Sequence, residues 1–312
     1  MIVVELEGGL ASQLHKYAVA RTLADITHQR LKLDIRSYSR NPAGKSGRIF
    51  GLDKFNVRAG IANSYEIVKS RGYIEPLAMY LGKLGLGLSQ EPDIHAFRNQ
   101  VRRLFGRRYF RADITKGPTQ AVFEAIRLAE STDLYVSGEW GMGTNFFDEN
   151  RQRIVSDFTP KCPLSICAQR FFAQIESQEI IACHIRRGDY VGHNILRLCE
   201  EGYYLNAANC VLQSRPDARL AIFTDDPVWV NEYFLPILKQ EAIIVEGCEA
   251  WEDFYLLSRC RHFVLSASGF SSLASWLSAS PEKIVVSPRQ WFYDQDVNSA
   301  QLSQLPADWI YL

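Results

Sequence analysis

The run Ile180-Ile181-Ala182-Cys183-His184-Ile185 stops abruptly at Arg186-Arg187-Gly188-Asp189, and no other stretch constrains the fold of this chain as strongly. A mostly apolar run without alternation predicts a strand buried on both faces, the kind found inside parallel sheets. Charge beside a glycine marks its end, and in α/β proteins ligands bind at the ends of such strands. If the extended backbone persists, His184 and Arg186 share one side while Arg187 points to the other. The two arginines are then expected to divide their work. One guanidinium grips an anion with its planar fork, and the other pairs with Asp189 to hold the loop. A salt-bridged strand end without a ligand explains this segment equally well when it is taken alone.

The same alternation continues downstream. Helical spacing covers residues 203–213, 229–239, 251–260 and 273–277, with strand-like runs at 220–224, 243–245, 263–266 and 283–286 between them. The order β-α-β-α-β-α-β-α-β implies a parallel sheet with helices on both faces. The chain opens in the same manner, with a strand at residues 2–6, Gly8-Gly9, a helix at 11–28 and a strand at 31–34. Gly8-Gly9 does not complete a G-x-G-x-x-G pattern, so it gives no dinucleotide fingerprint. Residues 37–48 read as a loop. Residues 134–141 read as a strand leading into an aromatic, glycine-rich loop at Trp140, and 146–158 as a helix. Two prolines in 159–163 predict an interdomain linker.

Charge excludes one function class. Lys plus Arg and Asp plus Glu both number 35, so a nucleic-acid binder working by bulk electrostatics is not expected and anion recognition must be local. The seven cysteines include no C-x-x-C pair, which argues against a zinc site or a disulfide framework and for reduced, buried thiols. No uninterrupted apolar run reaches the roughly 18 residues of a membrane-spanning helix, and the start does not resemble a signal peptide. A cytoplasmic protein is expected. Arg98, Arg102, Arg103, Arg107, Arg108 and Arg111, interleaved with Val101, Leu104, Phe105 and Phe110, read as an amphipathic basic helix across 98–111. That helix would touch the inner membrane face peripherally, with a solvated face as the default.

Three polar strand ends, at residues 184–189, 225–226 and 268–272, fall on one edge of a parallel sheet and can converge on a ligand. The serine-rich turn before a helix offers hydroxyls and free N–H groups for a phosphate. Arg186 adds a cation, and Asp253 is placed to accept hydrogen bonds from a base or ribose. Together these suit a nucleoside diphosphate held without an obligatory metal. Asp225-Asp226 before Pro227 also reads as an ordinary helix cap.

These residues resemble the α-1,2-fucosyltransferases, glycosyltransferase family 11. His184-Ile185-Arg186-Arg187-Gly188-Asp189-Tyr190-Val191 is similar to the family's H-x-R-R-G-D-Y-V motif. Phe223-Thr224-Asp225-Asp226 with Trp229-Val230 resembles its F-S-D-D…W-V segment. Asp253-Phe254-Tyr255-Leu256-Leu257-Ser258 resembles its D-L-x-L-M-S helix, and Gly8-Gly9-Leu10 with Gln13, Tyr17 and Ala18 its opening motif. The likeness runs to about residue 292 and is thin between 40 and 130. The chain departs from the family pattern at residues 11–16 and again at 267–277, where the family's asparagine and two of its tryptophans are absent.

The resemblance implies a GT-B architecture, two facing Rossmann-like domains with parallel sheets. An acceptor-side domain would occupy 1–160 and a GDP-sugar domain 161–290, with 291–312 as a tail packing back on the N-terminal domain. It implies inverting, metal-independent transfer of fucose from GDP-fucose to the 2-hydroxyl of a galactose-type acceptor in a surface or lipid-linked glycan. Arg186 would stabilise the departing GDP, and His184 would orient the pyrophosphate or ribose. Asp225 joins the donor set, with Asp253 meeting the guanine and Ser268, Ser271 and Ser272 the phosphates. Gly9, Gln13, His15 and Trp140 would lie on the acceptor side. Arg186, Asp189 and His193 form the catalytic set. For the base, Asp189, His193, Glu200 and Glu201 all remain open. Two rival readings stand beside this one. The first is a transferase of another GDP-sugar or acceptor, such as a protein O-fucosyltransferase type. The second is a non-catalytic sugar-nucleotide-binding protein.

Overall fold

A computed structural model of the chain describes residues 1–39, 48–71, 109–112, 133–138 and 142–312. The chain divides into two compact units. The first comprises Met1–Gly8, Lys16–Phe50 and Arg58–Trp140, and the second Gly9–His15, Gly51–Val57 and Gly141–Leu312. Trp140 and the basic residues 98–108 lie outside the described residues.

In the first unit, β1 (Ile2–Glu5) leads into helix α1 (Leu10–Ile26), whose opening residues belong to the second unit. Then come β2 (Leu31–Asp34), β3 (Gly60–Ile61), α2 (Ser64–Arg71), β4 (Tyr109–Ala112) and β5 (Leu134–Gly138). The strand order is β3-β2-β1-β5-β4, with every pairing parallel. Arg111 was expected in a basic helix but lies in β4, because the backbone of 109–112 pairs with β5 and pairing overrides local helical spacing. Asp34 is buried at the end of β2. It is held by the Arg36 guanidinium at 2.8 and 2.7 Å and by the Tyr135 hydroxyl at 2.7 Å. Burial pushes its pKa up, but these donors outweigh burial and the net shift is downward.

The second unit carries α3 (Arg151–Asp157), α4 (Ile166–Ser177), β6 (Ile180–Ile185), α5 (Glu201–Ser214), β7 (Arg219–Thr224) and β8 (Ala242–Val245). It continues with α6 (Ala250–Arg259), β9 (His262–Val264), α7 (Gly269–Leu277), β10 (Val285–Ser287), α8 (Gln295–Leu302) and β11 (Ile310–Tyr311). The order β11-β10-β9-β6-β7-β8 is parallel throughout. The chain moves from β6 outward through β7 to β8, then returns to the other side of β6 at β9. The boundary between β6 and β9 is therefore the topological switch point, where such sheets open a crevice beyond the carboxyl ends of their strands. All six residues of β6 are buried, as a run without alternation predicts. Both units are thus parallel α/β layers, the expected fold class.

Three expectations change. Residues 159–163 do not link two bodies. Asn56 N–H donates to Thr159 O at 3.0 Å and Lys161 N–H to Lys54 O at 2.8 Å, both inside the second unit. Residues 229–239 do not form one helix. A short turn at Pro227–Trp229 passes into a π-helical turn at Val230–Phe234 and a 3-10 turn at Leu235–Ile237, because Pro236 cannot join an α-helical ladder. The segment after 291 is an integral part of the second sheet, since β11 pairs with β10.

Helix α7 shows how a polar sequence becomes core. All of its residues except Phe270 are buried. Ser271 and Ser275 satisfy their hydroxyls on carbonyls three residues back, at 3.4 and 2.9 Å. At its carboxyl end, Arg151 donates to the carbonyls of Trp276, Leu277 and Ser278 at 2.9, 3.1 and 2.8 Å. Lys283 Nζ donates to those of Ser275 and Ser278 at 2.8 and 3.2 Å. Two cations thus satisfy the orphan carbonyls at the negative end of the helix dipole. Burial first, and then the nearby Arg151 charge, push the Lys283 pKa down to about 8. Arg151→Ala strands the Trp276 and Leu277 carbonyls, while Ser278 O keeps Lys283, and it is expected to lower the unfolding free energy by about 2 kcal/mol, read by urea denaturation.

Candidate functional site

The central motif leaves β6 at Ile185 and turns at once through a 3-10 segment, Gly188–Tyr190. The reversal of the chain brings Asp189 back to Arg186, with Nη2 to Oδ1 at 2.6 Å. Arg186 Nη1 also meets Asp225 Oδ2 at 2.8 Å. The guanidinium is one third exposed and stands 5.7 Å from the Tyr190 ring centroid. Gly188 is required here by space, since a Cβ would overlap the Asp225 carboxylate.

Arg187 has a different environment from the expected pair with Asp189. Its Nε meets Asp226 Oδ2 at 3.2 Å, and its guanidinium lies 4.1 Å over the Trp229 ring. Asp226 in turn accepts from Trp229 N–H at 3.0 Å as the cap of the following turn. The arginines do divide their work, but Asp189 belongs to Arg186 and Arg187 is built into the β7 end. Asp226 and Trp229 were legible as a helix cap and as part of the F-S-D-D…W-V likeness, but their hold on Arg187 was not.

His184 is buried at the switch point. Its Nδ1 lies 2.8 Å from Ser266 Oγ, just beyond β9, and its ring stacks on Phe270 with centroids 5.4 Å apart. Burial, then the Arg186 charge, push its pKa down to about 3, so the imidazole is neutral. Ser271 and Ser272 are fully buried, against the expectation of a phosphate cradle. Ser271 donates to Ser268 O at 3.4 Å, and Ser272 to Met142 O and Gly269 O, each at 3.4 Å. Ser268 Oγ accepts from Phe270 N–H at 3.3 Å and so caps α7, while Gly269 N–H meets Met142 Sδ at 3.0 Å. The hydroxyls turned inward because α7 packs as core, and an unmet hydroxyl there would be costly.

Asp253 is different. It lies in the first turn of α6, beyond the carboxyl end of β8, and so on the same sheet edge as Arg186 and Asp225. Its Oδ1 is buried with no hydrogen-bond partner among the described residues. Burial, then the adjacent Glu252, push its pKa up to about 7. An unpartnered buried carboxylate oxygen is an acceptor that no donor among the described residues meets.

The remaining candidates are placed as follows. His193 Nδ1 accepts from Ile195 and Leu196 N–H, both at 3.0 Å. Its proton is therefore on Nε2, and the ring has no free lone pair with which to act as a base. Glu200 and Glu201 are exposed at the start of α5. Gln13 Oε1 accepts from Gly51 N–H at 2.9 Å. His15 is buried between Ala11 O and Met142 O at 3.2 Å each, and burial pushes its pKa down to about 4. Gly9 has open space where a Cβ would stand. Two cavities of the second unit, about 410 and 480 Å³, lie at the opposite, amino-terminal edge of the sheet, around Glu179 and His262 and around Arg151 and Lys283.

The site is thus the carboxyl edge of a doubly wound parallel sheet, with an arginine at the switch point and an acceptor carboxylate nearby along that edge. The sequence pattern described as glycosyl transferase family 11 matches residues 122–312, and the chain belongs to that family. An alpha-1,2-colitosyltransferase of Escherichia coli is 24% identical over 99% of this chain and 98% of its own length. Galactoside alpha-(1,2)-fucosyltransferase 1 of Aotus azarae is 27% identical over 43% of this chain and 40% of its own length. Among solved structures, NodZ alpha-1,6-fucosyltransferase soaked with GDP-fucose aligns with a TM-score of 0.48 at 15% identity, covering 91% of this chain and 94% of that one. No helix among the described residues is long and apolar enough to cross a membrane.

The raised pKa of Asp253 links stability to pH. In the unfolded chain it loses its proton near pH 4, whereas in the folded chain it keeps it to about 7. The folded state binds the extra proton in that window, so its stability falls as pH rises through it. Asp253→Asn removes this slope. Its melting temperature is expected to gain on the wild type between about pH 4 and 7, read by calorimetry across that range.

Proposed function

We propose that this glycosyltransferase moves fucose from GDP-fucose to the 2-hydroxyl of a galactose-type acceptor in a surface glycan, with inversion at C1. The observation that carries the reading is the partly exposed Arg186 guanidinium at the switch point, with the unpartnered Asp253 oxygen on the same edge. In this reading Arg186 meets the β-phosphate, where negative charge grows as the bond from C1 to the phosphate oxygen breaks. Guanine presents two adjacent N–H groups that suit Asp253, and pairing with them favours its ionised form. The acceptor oxygen attacks C1 from the opposite face and passes its proton to a base. Asp189, Glu200 and Glu201 stay in contention for that role, while the His193 tautomer argues against it. Arg186 supplies the charge that a metal would otherwise bring, so none is required. His184 stays neutral and sets the edge on which Arg186 stands.

A second reading rests on a relative matched over 98% of its length, which carries the name of a colitosyltransferase. Colitose is fucose without its 3-hydroxyl, and a site that hydrogen-bonds this hydroxyl rejects the donor lacking it far more sharply than one that merely accommodates it. Turnover of GDP-fucose, GDP-colitose, GDP-mannose and UDP-sugars with β-galactosides separates the readings. A guanosine donor bearing a 6-deoxy sugar is expected, and preference for a uridine donor overturns the proposal. GDP binding without turnover of any donor across a broad acceptor set favours the non-catalytic reading. Arg186→Ala is expected to cost about 3 kcal/mol or more in kcat/KM, and near-normal turnover overturns its role. Chelation with EDTA is expected to leave the rate unchanged.

A further inference from the structure

Two carboxylates meet the Arg186 guanidinium, and their settings are unequal. Asp225 is anchored at the end of β7. One oxygen meets Arg186 Nη1 at 2.8 Å, and the other accepts from the Arg187 backbone N–H at 2.8 Å. Gly188 packs directly against it. One rigid side chain thus fixes two successive residues of the motif. Asp189 sits on the single turn Gly188–Tyr190, its side chain 46% exposed against 27% for Asp225, and meets Nη2 at 2.6 Å.

We infer that these carboxylates act in opposite directions on the donor: Asp225 positions Arg186 for the diphosphate, and Asp189 competes with the diphosphate for the same guanidinium. The inference rests on the donor-site reading above. A guanidinium has only a few donor directions, and bidentate grip on a phosphate uses two of them at once. With Nη1 tied to Asp225, a bidentate grip draws on Nη2, one of whose two hydrogens Asp189 holds, and the Asp189 charge opposes the incoming anion. The exchange costs little, because an exposed ion pair contributes little and a diphosphate carries more charge than a carboxylate. Releasing Asp225 instead would free the Arg187 backbone and the turn around Gly188 together. Asp225 is therefore a positioning residue, and Asp189 sets how tightly the donor is held.

The test is calorimetric titration of GDP, UDP and inorganic pyrophosphate into the wild type, D189N and D225N, with circular dichroism and melting curves as fold controls. D189N is expected to bind the diphosphate about two- to five-fold more tightly than the wild type. D225N is expected to bind it about tenfold or more weakly. A merely structural role for both carboxylates predicts weakening in both variants, so weaker or unchanged binding by D189N overturns the inference. Asp189 is exposed, and this arm decides the matter alone should D225N fail to fold. Preference for UDP over GDP defeats the guanosine reading and leaves the opposite signs to be read with UDP. A wild type that binds none of the three overturns both.

Discussion

The Arg187 backbone, the Arg186 guanidinium and the close approach of Gly188 all converge on one carboxylate, that of Asp225. It sits where β7 ends beside β6, and it converts a register between two strands into the orientation of a cation. The neighbouring pair repeats the logic one residue on, with Asp226 holding both Arg187 and the turn at Trp229. Strand pairing fixes the carboxylates, the carboxylates fix the arginines, and Arg186 is left partly open to solvent. A cation prepared in this way does not have to reorganise when charge develops nearby.

The groups behind this edge are neutral or satisfied. His184 is uncharged and bonded to Ser266, and the serines of α7 spend their hydroxyls on backbone carbonyls. Aromatic contacts carry this order inward, from His184 to Phe270 and from Phe270 to Phe254, with ring centroids 5.4 Å apart in each pair. Phe254 is next in the chain to Asp253, whose buried Oδ1 lacks a partner among the described residues. Keeping such a group buried costs stability.

Much of this was legible in the chain. The unalternating run at 180–185, the abrupt charge at Arg186 and the strand–helix alternation that follows require a buried parallel strand with a polar end. The ends of parallel strands share an edge wherever the sheet is formed. The H-x-R-R-G-D-Y-V likeness pointed to the family that the pattern over 122–312 establishes. The partners of the charges were not legible. Asp189 lies two residues from Arg187 and three from Arg186, yet the turn at Gly188 brings it to the farther of the two. The serines of α7 read as phosphate ligands, and the prolines of 159–163 as a linker, because neither segment carries a local sign of what packs against it.

Sequence by itself determined the layered parallel fold, the edge on which polar groups gather and the family to which the chain belongs. These follow from periodicity and from residue types at fixed spacing, which are local properties. Tertiary structure alone decided which carboxylate holds which arginine, that His184 is neutral, and that Asp253 keeps an unmet acceptor among the described residues. The settings of Asp225, His184 and Asp253 depend on groups brought together from distant parts of the chain, where burial and distance, rather than composition, set hydrogen bonding and charge.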